Sequence, residues 1–278
     1  LTLLRFGFPD IFVRSLVNLF FGNKVCINVN GYFTECVDQQ RGLRQGDPLS
    51  PLLFNFALEP MLRHILVDSS FTGFKIPQSI PSNSDRLPVV TDVEQVKFLA
   101  YADDVCVFLS SVSDYRLLQH HLHSYGLVSN SKINIDKTEV IFLNGTTSQD
   151  WVSVLTADGI DKYHHKLEPQ PLRYLGFPVI SSIGQRRYYE HTMLNKVKAQ
   201  CQLFSQRHLS LRGKATLLNS VMLSKLWYCL RLVSFPRSFF RKLQSVLASF
   251  MCNKVKPRIA YATMCRPVLE GGLGVIDP

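Results

Sequence analysis

The run Phe98-Leu99-Ala100-Tyr101-Ala102-Asp103-Asp104-Val105-Cys106-Val107-Phe108 restricts the possible folds more than any other part of the chain. Two apolar arms flank a pair of adjacent carboxylates, the pattern of a β-hairpin over residues 96–109 with Asp103-Asp104 at its tip. Burying one uncompensated charge is costly, and neighbouring carboxylates raise each other's pKa unless a cation is near. A hard divalent ion such as Mg²⁺ removes that cost by taking carboxylate oxygens, usually one or two of them together with substrate phosphates. An exposed acidic turn without a ligand is the bland reading of the same residues.

The surrounding pattern mixes helices and strands. Pro9 and Asp10 open an amphipathic helix carried by Ile11, Phe12, Leu16, Leu19 and Phe20. Two strand-like runs, 24–29 and 32–37, meet at Asn30-Gly31, a pair suited to a type I′ turn. A polar loop over 38–47 leads to Ser50 as N-cap and Pro51 as first helical residue, with Pro60 expected to kink the helix. Residues 77–95 read as an inserted loop. A helix follows from Asp114 to about Leu127 and a strand over 138–143, whereas 144–170 carry no strong pattern. A short β element over 172–180 precedes helices near 185–206, 211–233 and 237–252. We therefore expect an α+β fold with a boundary near residue 180.

Charge divides the chain more sharply than hydropathy does. Residues 1–165 hold 13 Lys+Arg against 17 Asp+Glu, a net −4, while residues 166–278 hold 18 against 4, a net +14. Such a concentrated cation is the footprint of a surface that meets phosphates. No run of about 18 apolar residues is present, so no membrane partner is expected. The seven cysteines are dispersed without C-x-x-C spacing and no secretory signal precedes them, which predicts reduced thiols in nucleus or cytoplasm, no disulfide framework and no zinc site. His120, His121 and His123 read as a solvated helix face.

Further strings stand in order around the paired aspartates. Upstream is Arg41-Gly42-Leu43-Arg44-Gln45-Gly46-Asp47-Pro48-Leu49-Ser50-Pro51. Downstream are Lys132-Ile133-Asn134-Ile135-Asp136-Lys137, then Leu172-Arg173-Tyr174-Leu175-Gly176, then Leu209-Ser210-Leu211-Arg212-Gly213-Lys214. In this order the strings resemble the reverse transcriptases of non-LTR (LINE-type) retrotransposons, over nearly the whole chain. Asn130-Ser131 departs from the small-residue turn that more often precedes this Lys132.

The resemblance implies a polymerase palm, an antiparallel sheet with packed helices over 1–180, and a basic all-helical thumb over 181–278. It implies that Asp103 and Asp104 bind the catalytic metals, two Mg²⁺ in the complete enzyme with Mn²⁺ as a possible substitute. Arg44, Gln45, Gly46, Ser50, Pro51 and Tyr101 would contact template and nucleotide, and Lys137 would assist the departing pyrophosphate. Tyr174, Leu175 and Gly176 would grip the primer end. Arg186, Arg187, Lys196, Lys198, Arg212 and Lys214 would clamp the duplex, joined by Arg237, Arg241 and Lys242 on the next helix. Trp227, Tyr228, Phe235, Phe239, Phe240 and Phe250 interleave with these cations at helical spacing, which points to core more than to base stacking. The partners so implied are an RNA template, a DNA primer or RNA–DNA hybrid, deoxynucleoside triphosphates and the remainder of a retrotransposon polyprotein.

Two-metal nucleotidyl transfer draws carboxylates from two strands. Asp10, Asp38 and Asp47 are poorly placed for the second, and Leu1 and Asp277-Pro278 look like cut ends. The expectation is a fragment, without its first catalytic strand or fingers, and with negligible polymerase activity alone. A non-catalytic nucleic-acid-binding relic is the competing class. An RNA-dependent RNA polymerase fits less well, since Ala102 stands where that family usually has Gly, and a group II intron maturase is a lesser relative.

Overall fold

The chain falls into two units in the computed structural model, Leu1–Asn134 and Ile135–Pro278. Residues 1–39, 42–43, 46–76, 94–253 and 259–277 are described. The division lies at 134/135 instead of near 180, because residues 163–180 pack with the basic helices: Gln185 donates to the His165 carbonyl, and Ile180 joins the helical core.

In the first unit, α1 (Thr2–Arg5) and α2 (Asp10–Phe20) lead into a long hairpin of β1 (Lys24–Val25), β2 (Asn28–Val29), β3 (Tyr32–Phe33) and β4 (Val37–Asp38). Asn30 and Gly31 both take positive φ at its tip, as the pair favours. Val25 pairs with Val37 but Asn28 pairs with Phe33, so two residues on one arm oppose three on the other. That is a β-bulge, and Ile27 bonds across it to Thr34 through backbone and side chain.

Just before the bulge Cys26 and Cys36 face each other with Cα atoms 4.4 Å apart and form a disulfide. The expectation of reduced thiols throughout is corrected here. Cysteines ten residues apart carry no spacing signal, and only the hairpin register brings them opposite. Cys106, Cys201, Cys229, Cys252 and Cys265 are thiols.

The long helix α3 (Ser50–Val67) begins one residue earlier than expected, with Leu49 as N-cap, Pro51 inside its first turn and Pro60 within its length. The Leu49 N–H is held by the Asp47 carboxylate at 2.8 Å. β5 (Phe74–Ile76) pairs antiparallel with β6 (Glu94–Val96); of the loop expected over 77–95, residues 77–93 lie outside the described residues and the last two belong to β6. β7 (Phe98–Tyr101) and β8 (Asp104–Val107) form the expected acidic hairpin, but its turn is Ala102-Asp103 and Asp104 opens β8 instead of sitting at the tip; α4 (Val112–Ser129) follows, its first turn closed by the Ser111 hydroxyl. Leu58, Met61, Leu62, Ile65, Phe71 and Leu118 make this unit's core, with Phe98, Val105 and Val107 packed on it. His121, expected on a solvated face, is largely covered and pairs with Asp68 at 2.9 Å.

In the second unit a strand stands within the expected 138–143, and residues 144–170, which carry no strong pattern, hold a helix and a further short strand. β9 (Val140–Ile141) pairs in parallel with β10 (Tyr163–His164), with α5 (Gln149–Ala157) between them. β11 (Leu172–Tyr174) and β12 (Phe177–Val179) make a tight hairpin. Then come α6 (Ile183–Ser205), α7 (Leu211–Leu217), a π-helical turn (Leu218–Met222), α8 (Leu223–Leu230), α9 (Arg237–Met251) and α10 (Tyr261–Cys265). Their core holds Leu218, Leu223, Leu226, Leu243, Leu247 and Met251 at full burial, and Phe235, Phe239 and Phe250 join it as expected. Asn219, in the π turn, donates to the Gly274 carbonyl and accepts from the Ile276 N–H, which fastens the final segment. The fold is a mixture of helices and small, mostly antiparallel sheets, the α+β class. Among the described residues no helix is long and apolar enough to cross a membrane.

Candidate active site

The acidic hairpin pairs Phe98 with Val107, Ala100 with Val105 and Tyr101 with Asp104, leaving Ala102-Asp103 as a two-residue turn. Alternation then sorts the side chains. Phe98, Val105 and Val107 share the face on the core, while Leu99, Tyr101 and Asp104 share the opposite face, where Tyr101 is 67% exposed. Asp103 and Asp104 both lie open to solvent. Ala102 sits at φ +52°, a region that disfavours any Cβ and costs of order 1 kcal/mol. Positive φ at the first central residue and not the second is the sign pattern of a type II′ turn, which ordinarily wants glycine.

The base of this hairpin is fixed by three contacts that sequence reasoning missed. Lys97, only 7% exposed, donates through Nζ to the carbonyl oxygens of Ile65 (3.1 Å), Leu66 (2.8 Å) and Asp68 (2.6 Å), closing the C-terminus of α3. A cation there meets both the orphan carbonyls and the negative end of the helix dipole. Gly73 lies against the Val96-Lys97 backbone so closely that a Cβ would stand 2.7 Å from the Val96 oxygen. Asp114, 1% exposed, accepts from the N–H groups of Thr72, Gly73 and Ser110 and from the Ser110 hydroxyl. Burial works to raise its pKa, but these donors outweigh burial and hold the carboxyl below its ordinary value. The His121 hydrogen bond and the Ser70 N–H likewise hold Asp68 low. A signal for Lys97 existed: it is the one charge in the run Val96-Lys97-Phe98-Leu99.

The second hairpin turns through Leu175 (φ +50°) and Gly176 (φ +81°), the type I′ sign pattern with a leucine where asparagine is usual. α8 reaches it with one ring. Tyr228 donates to the Leu175 carbonyl at 2.6 Å and stacks on Phe177 with centroids 4.2 Å apart.

The sequence model of the family described as "Reverse transcriptase (RNA-dependent DNA polymerase)" matches residues 2–179. The chain belongs to the reverse transcriptase family. The resemblance to non-LTR, LINE-type reverse transcriptases is upheld by its relatives. The chain is 27% identical over 282 aligned residues to the "Transposon TX1 uncharacterized 149 kDa protein" of Xenopus laevis, covering 99% of this chain and 19% of that protein. It is 24% identical over 280 residues to the "Retrovirus-related Pol polyprotein from type-2 retrotransposable element R2DM" of Drosophila melanogaster, covering 99% of this chain and 24% of that protein. This reverse transcriptase chain thus spans a fifth to a quarter of the length of these relatives.

Within the reverse transcriptase sequence, the expected site residues fall in different settings. Gly46 has φ +91° with open space above its α-carbon, and Pro51 is exposed. Arg44 and Gln45 lie outside the described residues. Ser50 is buried, and its Oγ has no hydrogen-bond partner among the described residues, so it faces the fold more than solvent. Lys137 ends an exposed 3-10 turn, Ile135–Lys137. Arg186, Arg187, Lys196, Lys198 and Arg212 are all exposed.

Lys214 requires correction. It is 2% exposed and donates to the carbonyl oxygens of Phe250 (2.9 Å) and Met251 (3.4 Å) and to Asn253 Oδ1, closing the C-terminus of α9. Burial pushes its ammonium below the ordinary lysine value. Helical position, which charge counting ignores, turns this cation inward. Tyr228 departs in the other direction, being 43% exposed.

Asp103 and Asp104 offer adjacent, solvent-facing carboxylate oxygens on a stiff hairpin, a donor set suited to Mg²⁺ or Mn²⁺. Among the described residues no group of three or more His, Cys, Asp and Glu side chains is placed to hold a metal.

Proposed function

We propose that this chain is the palm and thumb portion of an RNA-directed DNA polymerase, which extends a DNA primer on an RNA template with deoxynucleoside triphosphates. The observation that carries the reading is the solvent-open pair Asp103-Asp104, one in the turn and one opening the return strand of a hairpin anchored at its base by Lys97 and Asp114. In the complete enzyme Asp103 binds the metal ions and Asp104 assists. When bound, such ions activate the primer hydroxyl and neutralise charge on the transferring phosphate. Gly46, Pro51 and Tyr101 line the approach to template and nucleotide, with Arg44 and Gln45 from the same motif. Tyr174, Leu175 and Gly176 receive the primer end, and Lys137 assists the leaving pyrophosphate. Arg186, Arg187, Lys196, Lys198 and Arg212 neutralise phosphates of the bound hybrid.

Two-ion chemistry draws on a further carboxylate strand beyond this pair, so these 278 residues alone bind primer–template without extending it. The test is hybrid binding by the purified chain, with primer extension and Mn²⁺ binding measured in parallel for wild type and Asp103→Asn. Salt-sensitive hybrid binding together with Mn²⁺ binding that Asp103→Asn abolishes is the expected result. Asp103-dependent extension by this chain would overturn the claim that it is inactive alone. Hybrid binding with no metal binding in either form would favour a non-catalytic relic.

A further inference from the structure

A single side chain of α8 bonds to Leu175, stacks on Phe177 and stands over the open side of Gly176 between them. The Tyr228 hydroxyl donates to the Leu175 carbonyl at 2.6 Å, its ring lies over Phe177 at an interplanar angle of 21°, and its Cε1 stands 3.3 Å from where a Cβ on Gly176 would project. Leu175 is held at φ +50°, which leucine does not favour on its own, so the turn needs an outside restraint. Tyr228 supplies it: the hydrogen bond fixes the carbonyl, and the ring closes the space that the glycine leaves.

We infer that Tyr228 is a positioning residue for the primer terminus, holding the Leu175-Gly176 tip in the conformation that receives the 3′ end. The inference rests on the proposed assignment of Tyr174, Leu175 and Gly176 to the primer end. It adds a coupling: the tip is tied to the helical run 211–230, which also carries Arg212. A displacement of that run by bound duplex is passed to the primer end through one tyrosine.

The test uses a DNA primer ending in 4-thiothymidine, annealed to an RNA template and irradiated on the purified chain. The adduct at residues 172–179 is quantified by mass spectrometry, and hybrid affinity is read separately by fluorescence anisotropy. Tyr228→Phe keeps the stacking and removes the hydrogen bond; Tyr228→Leu removes both. We expect the adduct to fall about fivefold in the first, the worth of one neutral hydrogen bond, and further in the second. Affinity stays at its wild-type value, and the melting temperature falls by a few degrees at most, as the loss of one such bond implies. An unchanged adduct in both variants overturns the inference and leaves the primer-end assignment standing. Adduct and affinity falling together make Tyr228 merely structural, which also overturns it. A wild-type chain that binds hybrid without any adduct at 172–179 defeats the primer-end assignment, and the inference with it.

Discussion

The ammonium of Lys97 donates to the carbonyl oxygen of Asp68 at 2.6 Å, so the residue preceding the acidic strand also closes the helix that begins at Ser50. α3 spans 18 residues, roughly 27 Å at the helical rise, and this contact joins its far end to β7. The helix that starts in the Gly46–Pro51 motif and the hairpin bearing Asp103-Asp104 are thereby parts of one braced frame.

Lys97→Met should remove hydrogen bonds from a charged donor to three carbonyls, of which the one to Ile65 is buried and the other two partly so. We expect a loss of about 3 kcal/mol in the first unit. Hydrogen–deuterium exchange of the full chain checks it: peptides covering 98–108 should exchange faster while those covering α9 stay unchanged.

Asp114→Asn tests the second brace, and its effect depends on pH. The folded carboxyl titrates below its ordinary value, so the folded state binds fewer protons than the unfolded one as pH falls. Its contribution is complete above the unfolded value, about 4, and is lost as pH falls through the folded value. At pH 7 the variant should be less stable by about 2 kcal/mol, and the gap in urea midpoint should close on acidification below pH 4 or so.

Ala102 offers a test of strain at the acidic turn. Ala102→Val puts a β-branched side chain at positive φ and should cost roughly 1–2 kcal/mol, whereas Ala102→Gly should cost nothing. Exchange of the 98–108 peptides in the two variants should move in opposite directions or in the valine variant alone.

Lys214 and Arg212 are two residues apart and should behave oppositely. Arg212→Ala should lower the magnitude of the salt slope of hybrid binding by about 1, from about −4.5 for five phosphates neutralised. Lys214→Met should leave the slope alone and lower the melting temperature, having lost its bonds to the Phe250 and Met251 carbonyls. A slope that changes with Lys214 and not with Arg212 would reverse the assignment.

Local chemistry made some of this readable in the sequence. Asn30-Gly31 announces its turn, the apolar arms around Asp103-Asp104 announce a hairpin whose turn falls one residue earlier, at Ala102-Asp103, and the helices expected near 185–206 and 237–252 stand at Ile183–Ser205 and Arg237–Met251. Tertiary contacts hid the rest. Whether Lys214 points outward or under α9 depends on how α7 is rotated against α9, and the pairing of Cys26 with Cys36 depends on the residue count on each side of a bulge. The roles of Lys97 and Asp114 depend on partners 29 and 41 positions away along the chain, which no local pattern specifies.

The π turn at Leu218–Met222 sets the angular phase of the helix that follows it. Each α-helical residue advances about 100° around the axis, so deleting one residue from that turn would rotate α8 by roughly that angle. Its aromatic handle would swing away from the β11–β12 loop. The wide turn therefore acts as a gear tooth, and the spacing between arginine and tyrosine along this rod is as consequential as their identities.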